Sequence, residues 1–153
     1  MLKKISALLA AVFAASLVSV TPASADGNVV SCGRSGGGFG LYYNSNNNGS
    51  RTCIYGNVRD YDYDDNHCSS QGCPAYYFEV DGRNGQGQRL KNAAASVYNY
   101  DDGSPYKVCY NAGWGGSADF WTPYGQSAGS QFWYGNLNHT FNNNASQFRL
   151  YGS

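Results

Sequence analysis

Charged side chains are scarce in this chain: of 153 residues only 13% are charged, with 10 Lys or Arg set against 10 Asp or Glu. That balance excludes a basic nucleic-acid clamp and an acidic disordered tail. Beyond residue 25 no apolar run approaches the ~20 residues of a membrane span, so neither nucleic acid nor membrane is expected as a partner. Helix formers are also few outside the N-terminus. What is plentiful is glycine (20), tyrosine (14) and asparagine (16), a composition of turns and amphipathic rings. At this length one domain is expected, because two would leave neither with an adequate core.

Residues 1–25 are a different material. Lys3 and Lys4 form a positive start, Ile5 to Val20 is apolar, and Ala23-Ser24-Ala25 supplies a small-x-small cleavage pattern. This is the pattern of a secretory signal, so a secreted, extracellular chain starting at Asp26 is expected. Loss of Lys3 and Lys4 leaves it slightly acidic. Export places Cys32, Cys53, Cys68, Cys73 and Cys109 in an oxidising compartment. Choosing the odd one out and pairing the other four leaves many arrangements open. The pairing expected is Cys32 with Cys53 and Cys68 with Cys73. A zinc site on His67, Cys68 and Cys73 is the competing reading, disfavoured because no second His or Cys pair accompanies it.

The chain repeats itself. Leu41-Tyr42-Tyr43-Asn44 through Gly49-Ser50 falls on Val108-Cys109-Tyr110-Asn111 through Gly116-Ser117 at an offset of 67, and Asn92 to Tyr98 falls on Asn142 to Phe148 at an offset of 50. The first copy should therefore carry about 17 extra residues, expected around Asp60 to Tyr77. Gly40 to Tyr43 and Lys107 to Tyr110 read as short strands entering Asn/Gly turns, and Arg51 to Tyr55 and Ala118 to Thr122 as the returning strands. Tyr76 to Gly82 and Gln131 to Gly135 read as further strands. Turns roughly every ten residues predict an antiparallel all-β sandwich.

These residues resemble the βγ-crystallin superfamily. Tyr43 with Gly49, and Tyr110 with Trp114 and Gly116, are similar to its folded-hairpin signature, and Asn142-Asn143-Asn144-Ala145-Ser146 is similar to its calcium stretch. With the leader, the cysteines and the Leu-Tyr-Tyr-Asn opening, the chain is most similar to the secreted metalloproteinase inhibitors of the Streptomyces type. The resemblance implies an all-β, βγ-crystallin-like sandwich of two Greek-key motifs in a single domain over 40–153. The motifs would span about 40–100 and 106–153, behind a Gly-rich lead-in at 26–39. It further implies a monomeric inhibitor of an extracellular metalloprotease, not an enzyme. Its loop would run from Cys68 to Tyr77, with Cys68, Cys73, Pro74, Ala75 and Tyr76 its named residues, an insertion bounded by a bridge and stiffened by Pro74; another loop, such as Asn111 to Gly116, could serve instead. The alternative is a calcium-stabilised structural or antimicrobial module with no protease target, its weak calcium held by Asn142, Asn143 and Ser146 and by the degraded stretch Asn92 and Ser96. Three departures stand out: Asn47 replaces Trp114, Ala93 replaces the second amide of the calcium stretch, and Cys109 stands where the first copy has Tyr42. A strand position of that kind suits a small buried hydrophobe, so Cys109 is left unpaired.

Catalytic readings find little support. Gly125-Gln126-Ser127-Ala128-Gly129 matches G-x-S-x-G, but no acid follows Ser127 and no strand–turn–helix context surrounds it. Asp60, Asp62, Asp64 and Asp65 lack an EF-hand's glycine and terminal glutamate, and a solvated acidic loop is expected. Nothing marks Glu79 and Asp81 as a glycosidase pair. Gly82 to Gly87 is a turn with no phosphate-loop ending. The aromatic excess permits a sugar-binding reading, but Tyr98, Trp121, Trp133 and Phe148 are expected in strands, where core packing is commoner.

Overall fold

A computed structural model of the chain describes residues 27–150; the leader expected at 1–25 lies outside them. The described residues form eight strands and two single turns of 3-10 helix. The strands are β1 Asn28–Val29, β2 Phe39–Asn44, β3 Asn48–Tyr55, β4 Ser96–Asn99, β5 Tyr106–Cys109, β6 Ala118–Trp121, β7 Tyr134–Asn136 and β8 Ser146–Arg149. They make two antiparallel sheets, one ordered β1-β3-β2-β4-β7 and the other β6-β5-β8. The β2–β3 turn works because Asn46 (φ 60°), Asn47 (φ 54°) and Gly49 (φ 77°) take left-handed backbone, which asparagine tolerates and glycine adopts freely. Gly116 (φ 75°) does the same after β5, and a Cβ there would stand 3.0 Å from Asn111 Nδ2.

The sequence repeat is a structural one. Phe39 and Tyr106, counterparts at offset 67, stack face to face at 4.7 Å in the centre of the core. Around them Leu41, Ile54, Val97, Val108 and Trp121 are buried, and at ~25 cal/mol per Å² such apolar burial is the main favourable contribution to folding. The two halves also exchange chain. β7, from the second half, lies against β4 with Gly135 opposite Val97, and Val58, from the first half, bridges to Gln147 on β8. Each half's third extended segment thus completes the other half's sheet. Gln147 is fully buried but satisfied: Tyr61 donates to its Oε1 at 3.2 Å, and its Nε2 donates to the carbonyls of Gly56 and Ile54 at 3.0 and 3.3 Å.

The Gly-rich lead-in is tied to the first sheet: β1 pairs with β3, and Cys32 is bonded to Cys53 within that strand. Other expectations are corrected. Because Val58 and Gly135 are counterparts, the offset rises from 67 to 77 before falling to 50. The second half therefore carries its own insertion between β6 and β7, and the first half's insertion is longer than the net difference, running from Tyr61 to Arg89 as two hairpins. Tyr76 to Gly82 forms no sheet strand: it pairs locally with Tyr61 and with 87–90, and reaches the first sheet through Glu79 N donating to Arg51 O at 2.9 Å. Trp121 belongs to the core at 9% exposure, whereas Tyr98, Trp133 and Phe148 are only half-buried. Tyr98 and Trp133 each meet Tyr124 and Tyr134 in an outer cluster of rings.

Asp119 on β6 fastens the loop after β7. Its carboxylate accepts from the backbone N–H of Asn138, His139 and Thr140 at 3.1, 3.2 and 2.9 Å and from Thr140 Oγ1 at 2.7 Å. Burial works to raise its pKa, but the hydrogen bonds from Thr140 and His139 prevail and hold it below the ordinary carboxylate range. The stabilisation is therefore complete above the unfolded-state value of ~3.9 and is lost as pH falls through the lower folded-state value. Asp119→Asn is expected to cost about 2–3 kcal/mol at pH 7, a difference that shrinks as pH falls and the parent's carboxylate takes up a proton. Urea unfolding across a falling pH series checks this, and a loss that does not shrink as the pH is lowered to the acid limit of folding would contradict it.

Candidate functional site

The longest departure from the repeat begins with an arm whose end is fully exposed. Leaving the Val58 bridge, the chain enters an arm whose two sides are joined by backbone hydrogen bonds from Tyr76 N to Tyr61 O (2.9 Å) and from Asp64 N to Pro74 O (2.7 Å). Tyr61 and Tyr76 root it: they are 0% and 4% exposed, with rings edge to face at 6.4 Å. Burial pushes the Tyr61 hydroxyl well above its ordinary pKa, so it stays a neutral donor. The Tyr76 hydroxyl and Asn66 Nδ2 both donate to Gly27 O at 2.8 Å, so the start of the described chain buttresses the arm. Lys91 Nζ lies 2.9 Å from Asp60 and 3.0 Å from Asp62. Asp60 holds that ammonium above its ordinary pKa, partial burial opposes, and Asp62 adds to the rise. The acidic run is thus part of the arm's base, not a free solvated loop.

Beyond this base the chain narrows to a tip. Asp64 caps the turn Asp65–His67 by accepting from Asn66 N at 3.1 Å, and its Oδ2 lies 2.6 Å from His67 Nδ1. Ser69 and Gly72 exchange backbone hydrogen bonds of 2.9 and 3.0 Å around Ser70 and Gln71, and the Cys68–Cys73 bridge lies directly beneath. All of 66–72 is exposed. The result is a finger with a buried aromatic root, a covalent staple and a two-residue tip. It holds no nucleophile paired to a base. What it can do is present a short run of main chain in one conformation.

Of the residues expected to form the loop, Cys68, Cys73, Pro74 and Ala75 lie on this finger. Tyr76 does not reach its surface: it is buried at the root, a positioning residue. Ser70 and Gln71, at the tip, fall inside the Cys68 to Tyr77 loop without having been singled out, although Ser-Ser-Gln-Gly between two cysteines is turn chemistry that could have marked them. The bridge excludes the zinc reading in the oxidised chain, since neither sulfur is a free thiolate and His67 is committed to Asp64. Cys109 is buried and unbridged.

The two Asn/Ser stretches meet across the repeat. Asn92 N donates to Asn144 O at 2.7 Å and Asn142 N to Ala94 O at 3.1 Å, with Asn92 and Asn142 at φ 60° and 50°. Ser96 Oγ donates to Asn44 O (2.6 Å) and accepts from Asn47 N (2.9 Å), while Ser146 Oγ donates to Asn111 O (2.7 Å) and accepts from Trp114 N (3.2 Å). Both hydroxyls therefore clamp the β2–β3 and β5–β6 hairpins. Asn143 is exposed, and its amide donates to Phe141 O at 3.3 Å. Asn144, passed over by the sequence reading, is the buried member, donating to Ala94 O and Thr140 O at 2.7 and 3.0 Å. An open depression of about 350 Å³ beside them is lined by Asn44, Ser45, Asn92, Phe141 and Asn142. Only neutral oxygens face it. Among the described residues no group of three or more His, Cys, Asp or Glu is placed to hold a metal.

Fold and site thus define a class: an all-β chain of two antiparallel sheets, cross-linked by two disulfides, with a stapled finger on one edge. Compared with known family models, curated proteins and solved structures, the chain matches none.

The two bridges differ in what they hold. Opening Cys32–Cys53 frees a segment hydrogen-bonded into the first sheet and is expected to lower global stability by about 3 kcal/mol. Cys68→Ala/Cys73→Ala is expected to act locally instead. Hydrogen exchange at the Ser69 and Gly72 amides should approach unprotected rates, while Val97 and Val108 stay protected. Loss of protection at Val97 would show that the tip staple supports the whole sandwich.

Proposed function

We propose that the chain is a secreted, monomeric, non-enzymatic inhibitor of an extracellular metalloprotease that acts through the Cys68–Cys73 finger. The observation that carries the reading is the finger itself: an exposed tip stapled by a disulfide and rooted on Tyr61 and Tyr76. A segment already held in one conformation loses little entropy on entering a cleft. It binds tightly for that reason, and a chain cut between Cys68 and Cys73 is held by the staple with its ends in place to rejoin. Cys73, Pro74 and Ala75 would supply the main chain that lies along the protease cleft, with Ser70 and Gln71 ahead of them. The βγ-crystallin-like reading with two Greek-key motifs is supported by the duplicated hairpins and by the exchange of Val58 and β7 between halves. Incubation with a thermolysin-like enzyme tests the activity: inhibition is expected at micromolar protein, and none at that concentration overturns it. Cys68→Ala/Cys73→Ala should weaken inhibition at least tenfold, and full inhibition by that variant would move the activity off the finger.

A second reading, a calcium-stabilised module, is favoured by the meeting of the Asn92 and Asn142 stretches. Asn92, Asn142 and neighbouring carbonyls would hold the ion, with Asn143 alongside. Six to eight oxygens are needed and none here is charged, so binding is expected on the order of 10⁻⁴ to 10⁻³ M. At most one ion per chain is expected, because Ala93 supplies no oxygen. Calorimetry and a thermal melt with and without calcium check this. Two equivalent ions would refute the Ala93 argument, and an unchanged melting temperature with no heat would refute the reading.

A further inference from the structure

The sandwich has two long edges, and the finger occupies only one. It springs from the Val58 segment beside β8, whereas β6 lies at the opposite edge of the same sheet. β6 faces β7, the outermost strand of the other sheet. Between these two open edges lies a depression of about 440 Å³, within the ~300–1,000 Å³ of small-ligand clefts. Three large rings line it, each left nearly half exposed: Phe120 at 47%, Phe132 at 49% and Tyr134 at 47%. Such rings scattered singly on a surface call for no explanation; three around one concavity do.

We infer that this cleft binds a neutral carbohydrate. The lining has the two chemistries a sugar ring needs. Flat exposed rings can lie against the C–H face of a pyranose, and the side chains of Gln131, Asn138 and His139 at the rim can exchange hydrogen bonds with its hydroxyls. The ligand should be uncharged, because the one carboxylate in the lining, Asp119, is spent on Asn138, His139 and Thr140. It should not be an aliphatic chain, because apart from Ala118 no aliphatic side chain lines the cleft, and such a chain would strip water from the amides without replacing their hydrogen bonds.

The walls are preformed. Asp119 pins 138–140 on one side. On the other, Thr122 N donates to Phe132 O at 3.2 Å, and Ala128 and Gln131 close a turn with paired backbone hydrogen bonds of 3.1 Å. At the floor Trp121 is buried, and its indole N–H has no hydrogen-bond partner within the protein. With no accessible surface, that N–H lies beneath the cleft and reports on its occupancy without touching the ligand. The inference is independent of the finger, and the two edges can be occupied at once.

The test is retention of the full mature chain on insoluble chitin and cellulose and its retardation in gels containing soluble mannan or β-glucan, with heparin and a proline-rich peptide as competing probes. Binding to at least one neutral polysaccharide is expected, with a shift of the Trp121 indole N–H resonance when the matching oligosaccharide is added. Phe132→Ala/Tyr134→Ala removes exposed rings and should weaken retention at least tenfold with an unchanged melting temperature. Phe120→Ala, alone, serves if the double variant fails to fold. No retention on any of the four polysaccharides, equal retention of parent and variant, or preference for heparin or the peptide overturns the inference.

Discussion

The interlock between the two halves is the constraint on which the rest of the structure depends. Asn92 and Asn142 each turn in the left-handed region and donate into the opposite stretch, and the Asn144 carboxamide spans the gap to Ala94. Beside them Ser96 and Ser146 tie each stretch to the hairpin of its own half. With these polar groups satisfied internally, Phe39 and Tyr106 can stack at the centre of a dry core. An unsatisfied group at this depth would cost about 1–3 kcal/mol, a sizeable share of a typical ~5–15 kcal/mol stability.

That economy leaves the additions as the segments that project from the framework. The repeat elements spend their polar atoms on each other, so little of the shared framework is free to engage a partner. The finger, inserted after the Val58 segment, and the β6–β7 connection, inserted in the other half, lie outside the interlock. Each is fixed by its own devices, a disulfide and two tyrosines in one case and the backbone pairs Thr122–Phe132 and Ala128–Gln131 in the other. Insertions at opposite edges of one duplicated framework give the molecule two separate rigid surfaces.

The link between the halves is held as firmly. Asp101 accepts from Gly103 N and Ser104 N and receives Arg149 Nε at 2.7 Å, and the Arg149 guanidinium also covers the Tyr55 ring at 4.7 Å. Burial works to lower the Arg149 pKa, but Asp101 outweighs it and raises the value. The short turn at 100–105 therefore sets the two repeats in one orientation, which the stacked core requires.

What the sequence by itself determined was local and periodic. The Asn/Gly turns after β2 and β5 were legible because only a few residue types accept positive φ, and the repeat was legible because counterpart strands bury counterpart residues. The cysteine pairing was an expectation only, since five cysteines leave many arrangements open, and the fold decided it. The tertiary structure decided what depends on distant chain segments. Ser96 and Ser146 read as possible ion ligands, yet their hydroxyls meet hairpin carbonyls of residues far away in sequence. Tyr76 read as loop and proved to be root, since only the folded chain brings Gly27 to its hydroxyl. The cleft between β6 and β7 was invisible for the same reason: Phe120 and Tyr134 come from strands on different sheets and Phe132 from the connection between them, and no periodicity along one strand reports which residues a second sheet will leave uncovered.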